Sequence, residues 1–372
     1  MSDIRRVTQP GAAAGTTRAR DYDLTGADGR AAVAAGLAGA SWYCPPISRK
    51  RLAELMRRRD APAIRDTVIW LLGLVLMGTA GVLLWGSGWA AIPFAVYGVL
   101  YGSVGDSRWH ECGHGTAFKT QWLNEAVHQL ASFMMLREPT IWRYSHRRHH
   151  RDTIIVGLDP EIVATRPPDF LGMGLNLFAL KGGLTALSRV VCHSLGRMNA
   201  AEESFVPPAA RPEVYRIARI WLSIFAAVLV ACFLTRSILP AMLIGLPTFY
   251  GGWLTPIFGW TQHAGLAEDV LDHRLNTRTI YMNPLARFLY WNMNYHLEHH
   301  MFPMVPYHAL PQLHELVRPY CPEPYRGLLA AYREIIQTWL RQRRDPTYGA
   351  ARPLPAAVSS SPTSDRQPPT QE

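Results

Sequence analysis

No Asp, Glu, Lys or Arg occurs between residues 67 and 105, 39 consecutive positions. One helix needs roughly 20 apolar residues to cross a bilayer, so this run is about twice that length. Trp85-Gly86-Ser87-Gly88-Trp89 interrupts it near the middle. That pentapeptide reads as a tight turn flanked by tryptophans suited to a membrane interface. The expectation is a helical hairpin with spans at 67–86 and 88–105; the competing reading is a buried soluble helix pair. A second run, residues 220–262, is charged only at Arg236. An Arg at the bilayer centre costs roughly 2.5–3.5 kcal/mol. Thr235-Arg236-Ser237 is therefore placed at a turn, with spans at 218–235 and 238–259. Pro240, Pro247 and Pro256 are expected to kink the last of these.

The remaining sequence is polar and basic. The chain holds 38 Lys and Arg against 28 Asp and Glu. Such a balance can signal nucleic acid, but here the basic residues flank the apolar runs. They point to a membrane surface and not to nucleic acid. Residues 48–65 read as a basic amphipathic helix fit for an anionic membrane face. The connectors inside the hairpins hold at most one Arg, and the flanks hold nearly all the others. Both termini and the central segment are therefore expected on the cytoplasmic side, in a bacterial-type inner membrane. Residues 170–192 are apolar but carry Lys181 and Arg189, and read as an interfacial helix. The expected fold class is all-α integral membrane: two transmembrane helical hairpins, about four spans, under a cytoplasmic helical cap. The division is a cytoplasmic segment at 1–66 with no cleavable signal peptide, a membrane domain at 67–342, and a Pro/Ser-rich disordered tail at 343–372. The five Cys form no CxxC pair and read as reduced thiols.

The polar segments contain three histidine clusters: His110 and His114; His146, His149 and His150; and His296, His299 and His300. Residues at i, i+3 and i+4 share one helix face, so each cluster can aim its imidazoles at one place. The expected topology puts all three on one side. A zinc site uses three or four protein ligands, so eight imidazoles suit two ions. Softness alone admits Fe, Zn, Cu or Ni. Without metal, eight imidazoles partly protonated near their usual pKa of about 6.5 would repel. Two rival readings exist. His110-Glu111-Cys112-Gly113-His114 matches the HExxH pattern of zinc peptidases, with Glu111 as general base, but leaves six histidines unexplained. On a helix Glu111 lies about 100° from the ligand face, where it would at most orient a histidine N–H. A metal transporter would carry ionisable ligands within its spans, and the hairpins hold only Arg236.

With these boxes the chain resembles the membrane fatty acid desaturase superfamily over residues 67–315, most closely in NMNYHLEHHMFPMVPY at 292–307. The resemblance implies that the eight box histidines and one more hold two iron ions. The further ligand falls on His263 in Trp260-Thr-Gln-His263. No catalytic residue beyond these metal ligands is assigned. The stretches DSRWHECGHGTAFKT (106–120) and EDVLDHRLNTRTIYMNP (268–284) are similar to a bacterial branch of rhizopine-oxygenase-like and dihydrorhizobitoxine-desaturase-like proteins, which act on small amino compounds. The implied activity is O2-dependent introduction of a C=C bond into an aliphatic chain, fatty acyl or a small amino compound. A hydroxylase or oxidative demethylase of the same superfamily is the alternative. No HPGG, flavin-type GxGxxG or Cys-rich cluster is present, so a separate ferredoxin and ferredoxin reductase are expected as electron donors. Arg147, Arg148 and His273 are candidate contacts for substrate or redox partner. Arg151 belongs to the same basic flank, for which a solvated face is the other reading. His128, His193, His308 and His314 are expected to be structural or solvent-facing.

Overall fold

The computed structural model describes residues 20–355, and among them regular structure is helical, with two isolated β-bridges and no strand. Three helices are long and apolar enough to cross a membrane: Arg49–Leu83, Gly88–Gly113 and Pro208–Thr235. A fourth candidate is the pair Phe170–Asn176 and Leu180–Ser194, bent by 71°.

The first of these breaks at three consecutive arginines, residues 57–59, and restarts as Asp60–Leu83. The expected continuous basic helix over 48–65 is therefore two pieces. The restart is anchored by Asp60, whose carboxylate accepts from the Thr120 backbone N–H at 2.9 Å and its hydroxyl at 2.8 Å. Asp60–Leu83 and Ala91–Gly102 run antiparallel. Gly73 faces Leu100, Gly78 faces Tyr97 and Gly81 faces Phe94, so bare backbone on one helix receives large side chains of the other. Trp70 donates its indole N–H to the Leu100 carbonyl at 2.8 Å. Gly86 makes the turn between them with φ +91°.

Arg211–Thr235 packs along Leu180–Ser194, with Val190 buried against Ile217, Ala218 and Trp221. It ends at Arg236, exposed and left-handed at φ +49°. Beyond it, the expected kinked helix over 238–259 is three short helices, Leu239–Leu243, Pro247–Gly251 and Leu254–His263. Each proline sits in the first turn of its own helix, where a missing N–H costs nothing. The middle piece lies directly on Ala91–Gly102: a Cβ on Gly251 would stand 1.8 Å from the Gly98 carbonyl carbon. Outward faces are apolar, with Leu83, Leu229, Phe233 and Leu234 largely exposed.

Two peripheral segments close over the polar side. Near the N-terminus, the helix Ala27–Ala34 abuts Gly157, and Trp42 donates to the Arg151 carbonyl at 2.9 Å. At the other end, residues 343–355, expected to be unstructured, fold back. The Ala350 N–H reaches the Gly265 carbonyl at 2.8 Å, and Arg352 reaches the Glu323 carbonyl at 3.0 Å. One backbone hydrogen bond and one arginine side chain, which also lies over the Tyr325 ring, hold this segment, contacts that a Pro/Ser-rich composition does not reveal. Residues 1–19 of the expected N-terminal segment and 356–372 of the expected tail lie outside the described residues.

Candidate metal centre

Four helices bring the histidines together: Gly105–Gly113, Pro139–Arg151, Leu254–His263 and His296–Met301. The second starts with Pro139 in its first turn and Glu138 as N-cap, accepting from the Ile141 N–H at 2.6 Å. Ahead of the third box, Trp291 and Asn292 are both left-handed, which reverses the chain into His296–Met301.

All nine expected ligands converge, in two groups. His110, His114, His146, His150 and His299 form one; His149, His263, His296 and His300 form the other. Within each group one ring nitrogen per residue lies within 4.8 Å of every other. The Nε2 atoms of His146 and His114 are 3.0 Å apart, as are those of His150 and His146. His299 and His150 stand at 3.1 Å, His296 and His263 at 3.1 Å, and His149 and His300 at 3.3 Å.

The opposite ring nitrogens decide what these distances mean. His146 Nδ1 lies 2.8 Å from Glu161, His149 Nδ1 2.8 Å from Asp159, and His263 Nδ1 2.9 Å from the Asn276 carbonyl. The Asn276 carbonyl can only accept, so His263 Nδ1 carries the proton and its Nε2 presents a bare lone pair; Asp159 and Glu161, when ionised, set the same tautomer in His149 and His146. Ring nitrogens from four or five imidazoles, all aimed into one small enclosed space, form the kind of donor set that a cation accepts. The donor set thus fits two metal ions, five imidazoles to one and four to the other.

Electrostatics agree. Burial, followed by the charge of neighbouring histidines, drives His114 down to about 3. The same two causes hold His146, His150, His296, His299 and His300 well below the usual imidazole range. The rings are therefore in the neutral form a metal requires. His149 is the exception: burial pulls it down, but the adjacent Asp159 carboxylate overrides this and the net shift is upward.

Glu111 does not face either group. Its Oε2 accepts from Thr116 Oγ1 at 3.1 Å and the Tyr307 N–H at 3.0 Å, and its Oε1 lies 3.7 Å from His299 Nδ1. A peptidase base must reach metal-bound water; this carboxylate stands behind the His299 ring instead.

His273 belongs to neither group. It is buried, stacks on Trp42 with ring centroids 4.1 Å apart, and lies 5.1 Å from His300. Arg147 is exposed, and Arg148 donates to Ser204 Oγ at 3.0 Å. His128 hydrogen-bonds the Trp109 carbonyl, His193 pairs with Glu202, and His314 with Glu298. Sequence reasoning missed Asp159 and Glu161. The available signal was Asp159-Pro-Glu161, an acidic pair beginning nine residues after His150 in an Arg- and His-rich segment.

A family model described as "Fatty acid desaturase" matches residues 87–331. A Delta(12) fatty acid desaturase of Calendula officinalis is 37% identical over 67 residues, 17% of this chain and 18% of that protein. The sn-2 acyl-lipid omega-3 desaturase (ferredoxin), chloroplastic, of Arabidopsis thaliana is 24% identical over 236 residues, 58% of this chain and 52% of the relative. A sphingolipid delta(4)-desaturase DES1-like protein of the same plant is 28% identical over 290 residues, 76% and 78% of the two chains. The chain thus spans between about a fifth and about half of the length of the first two relatives.

Proposed function

We propose, from the premise that this chain belongs to the fatty acid desaturase family, that it is a di-iron membrane oxidase that uses O2 to introduce a C=C bond into an aliphatic chain. The observation that carries this is the division of nine histidines into two compact groups whose ring nitrogens face inward. His110, His114, His146, His150 and His299 would hold one iron, and His149, His263, His296 and His300 the other. Bound there, the iron pair supplies O2 reduction and the capacity to take hydrogen from an unactivated C–H bond.

The chain's own residues do the rest. Glu161 and Asp159 hold His146 and His149 by their Nδ1–H groups, fixing tautomer and ring orientation. The box histidines are buried or nearly so, which keeps bulk water from an oxidising site. The exposed apolar faces of Asp60–Leu83 and Arg211–Thr235 would lie in lipid, with both termini and the histidines on the cytoplasmic side of an inner membrane. A fatty acyl chain or a small amino compound is the substrate, and the two electrons come from a ferredoxin with its reductase. Hydroxylation is the second outcome the same chemistry allows.

Protein purified in detergent is expected to carry two irons per chain and to lose them on acidification. One tightly bound zinc and no iron in fully active protein would overturn the reading. Mass spectrometry of lipid and amino-compound extracts, with and without active protein, should show a product two hydrogens lighter than its substrate; a product one oxygen heavier would mean hydroxylation. For topology, cysteines placed at Ser87 and Ser237 should label from outside the cell and one at Ser145 should not.

A further inference from the structure

Trp42, His273 and His300 form a row of rings from the protein surface to the four-histidine group. Trp42 is half-buried at the surface, and its ring lies nearly parallel to that of His273, at 4.1 Å and 5°. His273 is fully enclosed, and its ring centre is 5.1 Å from that of His300. The stack is held from both sides. Trp42 is fixed by its indole N–H on the Arg151 carbonyl, and His273 by its place beside Asp272, which caps the short helix His273–Asn276. His273 Nδ1 is buried without a hydrogen-bond partner. The ring lies outside both metal groups but against one candidate ligand, with the Asn276 side chain beside it.

The surface at the outer end of the row is basic. Arg147 is exposed, Arg151 keeps 55% of its side chain exposed, and Arg148 lies between them on the same helix. Asp152 offsets part of the Arg151 charge through a 2.7 Å contact, which leaves Arg147 and Arg148 to set the sign of the patch.

We propose that Trp42 and His273 are positioning residues for electron delivery: an acidic one-electron carrier protein docks on the Arg147–Arg151 face, and its electron passes through Trp42 and His273 to the metal held by His300. The proposal rests on the di-iron reading. Each transfer oxidises the carrier by one electron and reduces the metal pair by one, with no bond made or broken. Two transfers, with two electrons from the substrate's C–H bonds and four protons, reduce one O2 to two waters when a C=C bond is formed. Charge complementarity speeds association and makes it salt-dependent.

The test follows reduction of the oxidised, iron-loaded protein without O2 or substrate, by stopped-flow absorbance. The reductants are plant-type [2Fe–2S] ferredoxin, an acidic carrier, and dithionite. Iron content is measured on the same samples. W42L is expected to keep wild-type iron content and wild-type reduction by dithionite, while reduction by ferredoxin slows by an order of magnitude or more. W42F, which keeps a ring in the stack, should recover most of that loss. R147E should weaken ferredoxin binding and flatten its salt dependence. Wild-type ferredoxin rates in W42L would overturn the route, and so would equal slowing with both reductants, which marks a damaged centre. Absence of two irons in the wild-type protein would instead remove the di-iron reading itself, so the two failures are told apart.

Discussion

The two histidine groups differ in what stands behind them. In the four-histidine group, three rings have Nδ1 tied to the protein: His149 to Asp159, His263 to the Asn276 carbonyl, and His300 to Thr153 Oγ1 at 3.2 Å. Thr153 gives its own hydroxyl proton to the His149 carbonyl, so it accepts from His300 and fixes that tautomer as well. In the five-histidine group only His146 has such a hydrogen bond among the described residues. His110 has neither ring nitrogen bonded, His150 Nδ1 is unpartnered, and His299 Nδ1 has Glu111 only at 3.7 Å. Partners of this kind orient ligands and raise their basicity. One group is thus organised by the protein, and the other depends more on the metal to align its rings.

The largest effect should come from deleting a ligand in either group. His299→Ala and His300→Ala are both expected to abolish turnover, His299→Ala with loss of iron from the five-histidine group and His300→Ala from the four-histidine group. Metal analysis of each variant checks this; near wild-type iron and activity in either would remove that residue from the ligand set. The supporting carboxylates come next and separate the groups. Asp159→Asn should weaken metal retention by roughly 10–100-fold, and Glu111→Gln by less, because its contact with His299 is long. Competition with a chelator measures both, and a larger loss in Glu111→Gln would reverse the ranking. In the wild-type protein, the same chelator should take the iron of the five-histidine group first, giving two resolved phases of release. A single phase carrying both irons would show that the difference in support has no consequence for binding.

The smallest effect concerns a histidine outside both groups. Burial and the charge of Arg143 lower His128 to about 4. The unfolded chain takes up this proton near 6.5, before the folded state does. Stability from this site is therefore complete above about pH 6.5 and falls as pH drops toward 4, by roughly 3 kcal/mol. His128→Gln should flatten the acid side of the thermal-stability profile in detergent; an unchanged acid limb would assign that loss to other groups.

The eight box histidines were legible because box spacing is local: residues at i, i+3 and i+4 share a helix face whatever surrounds them; His263, alone in its segment, came only through the family resemblance. The helical class and the apolar runs were legible for the same reason. The supports were not. Asp159 and Glu161 are ordinary acidic residues in an irregular segment, and their pairing with His149 and His146 depends on how the chain turns after Arg151. Trp42 stacks on His273, which is 231 residues away, and no local pattern records such a contact. The three prolines between 238 and 259 suggested kinks. Complete breaks follow from the contact of Gly98 with Gly251, which seats Pro247–Gly251 as a separate piece on the first pair of helices.

The assignment of ligands along the chain constrains how the protein can be made. His110 and His299 lie in one group of candidate ligands although 189 residues separate them. A chain whose synthesis has reached residue 290 already carries four histidines of the five-membered group, but only His149 and His263 of the other. The first group could therefore capture a metal during translation, whereas the second has half its donors until the final box leaves the ribosome. Both groups are closed only by the final box, the five-membered one at His299 and the four-membered one at His300, but the group that the protein organises best is the one that waits for half its donors. A finished chain that meets no metal would keep nine imidazoles crowded into two small, largely buried spaces with nothing between their ring nitrogens.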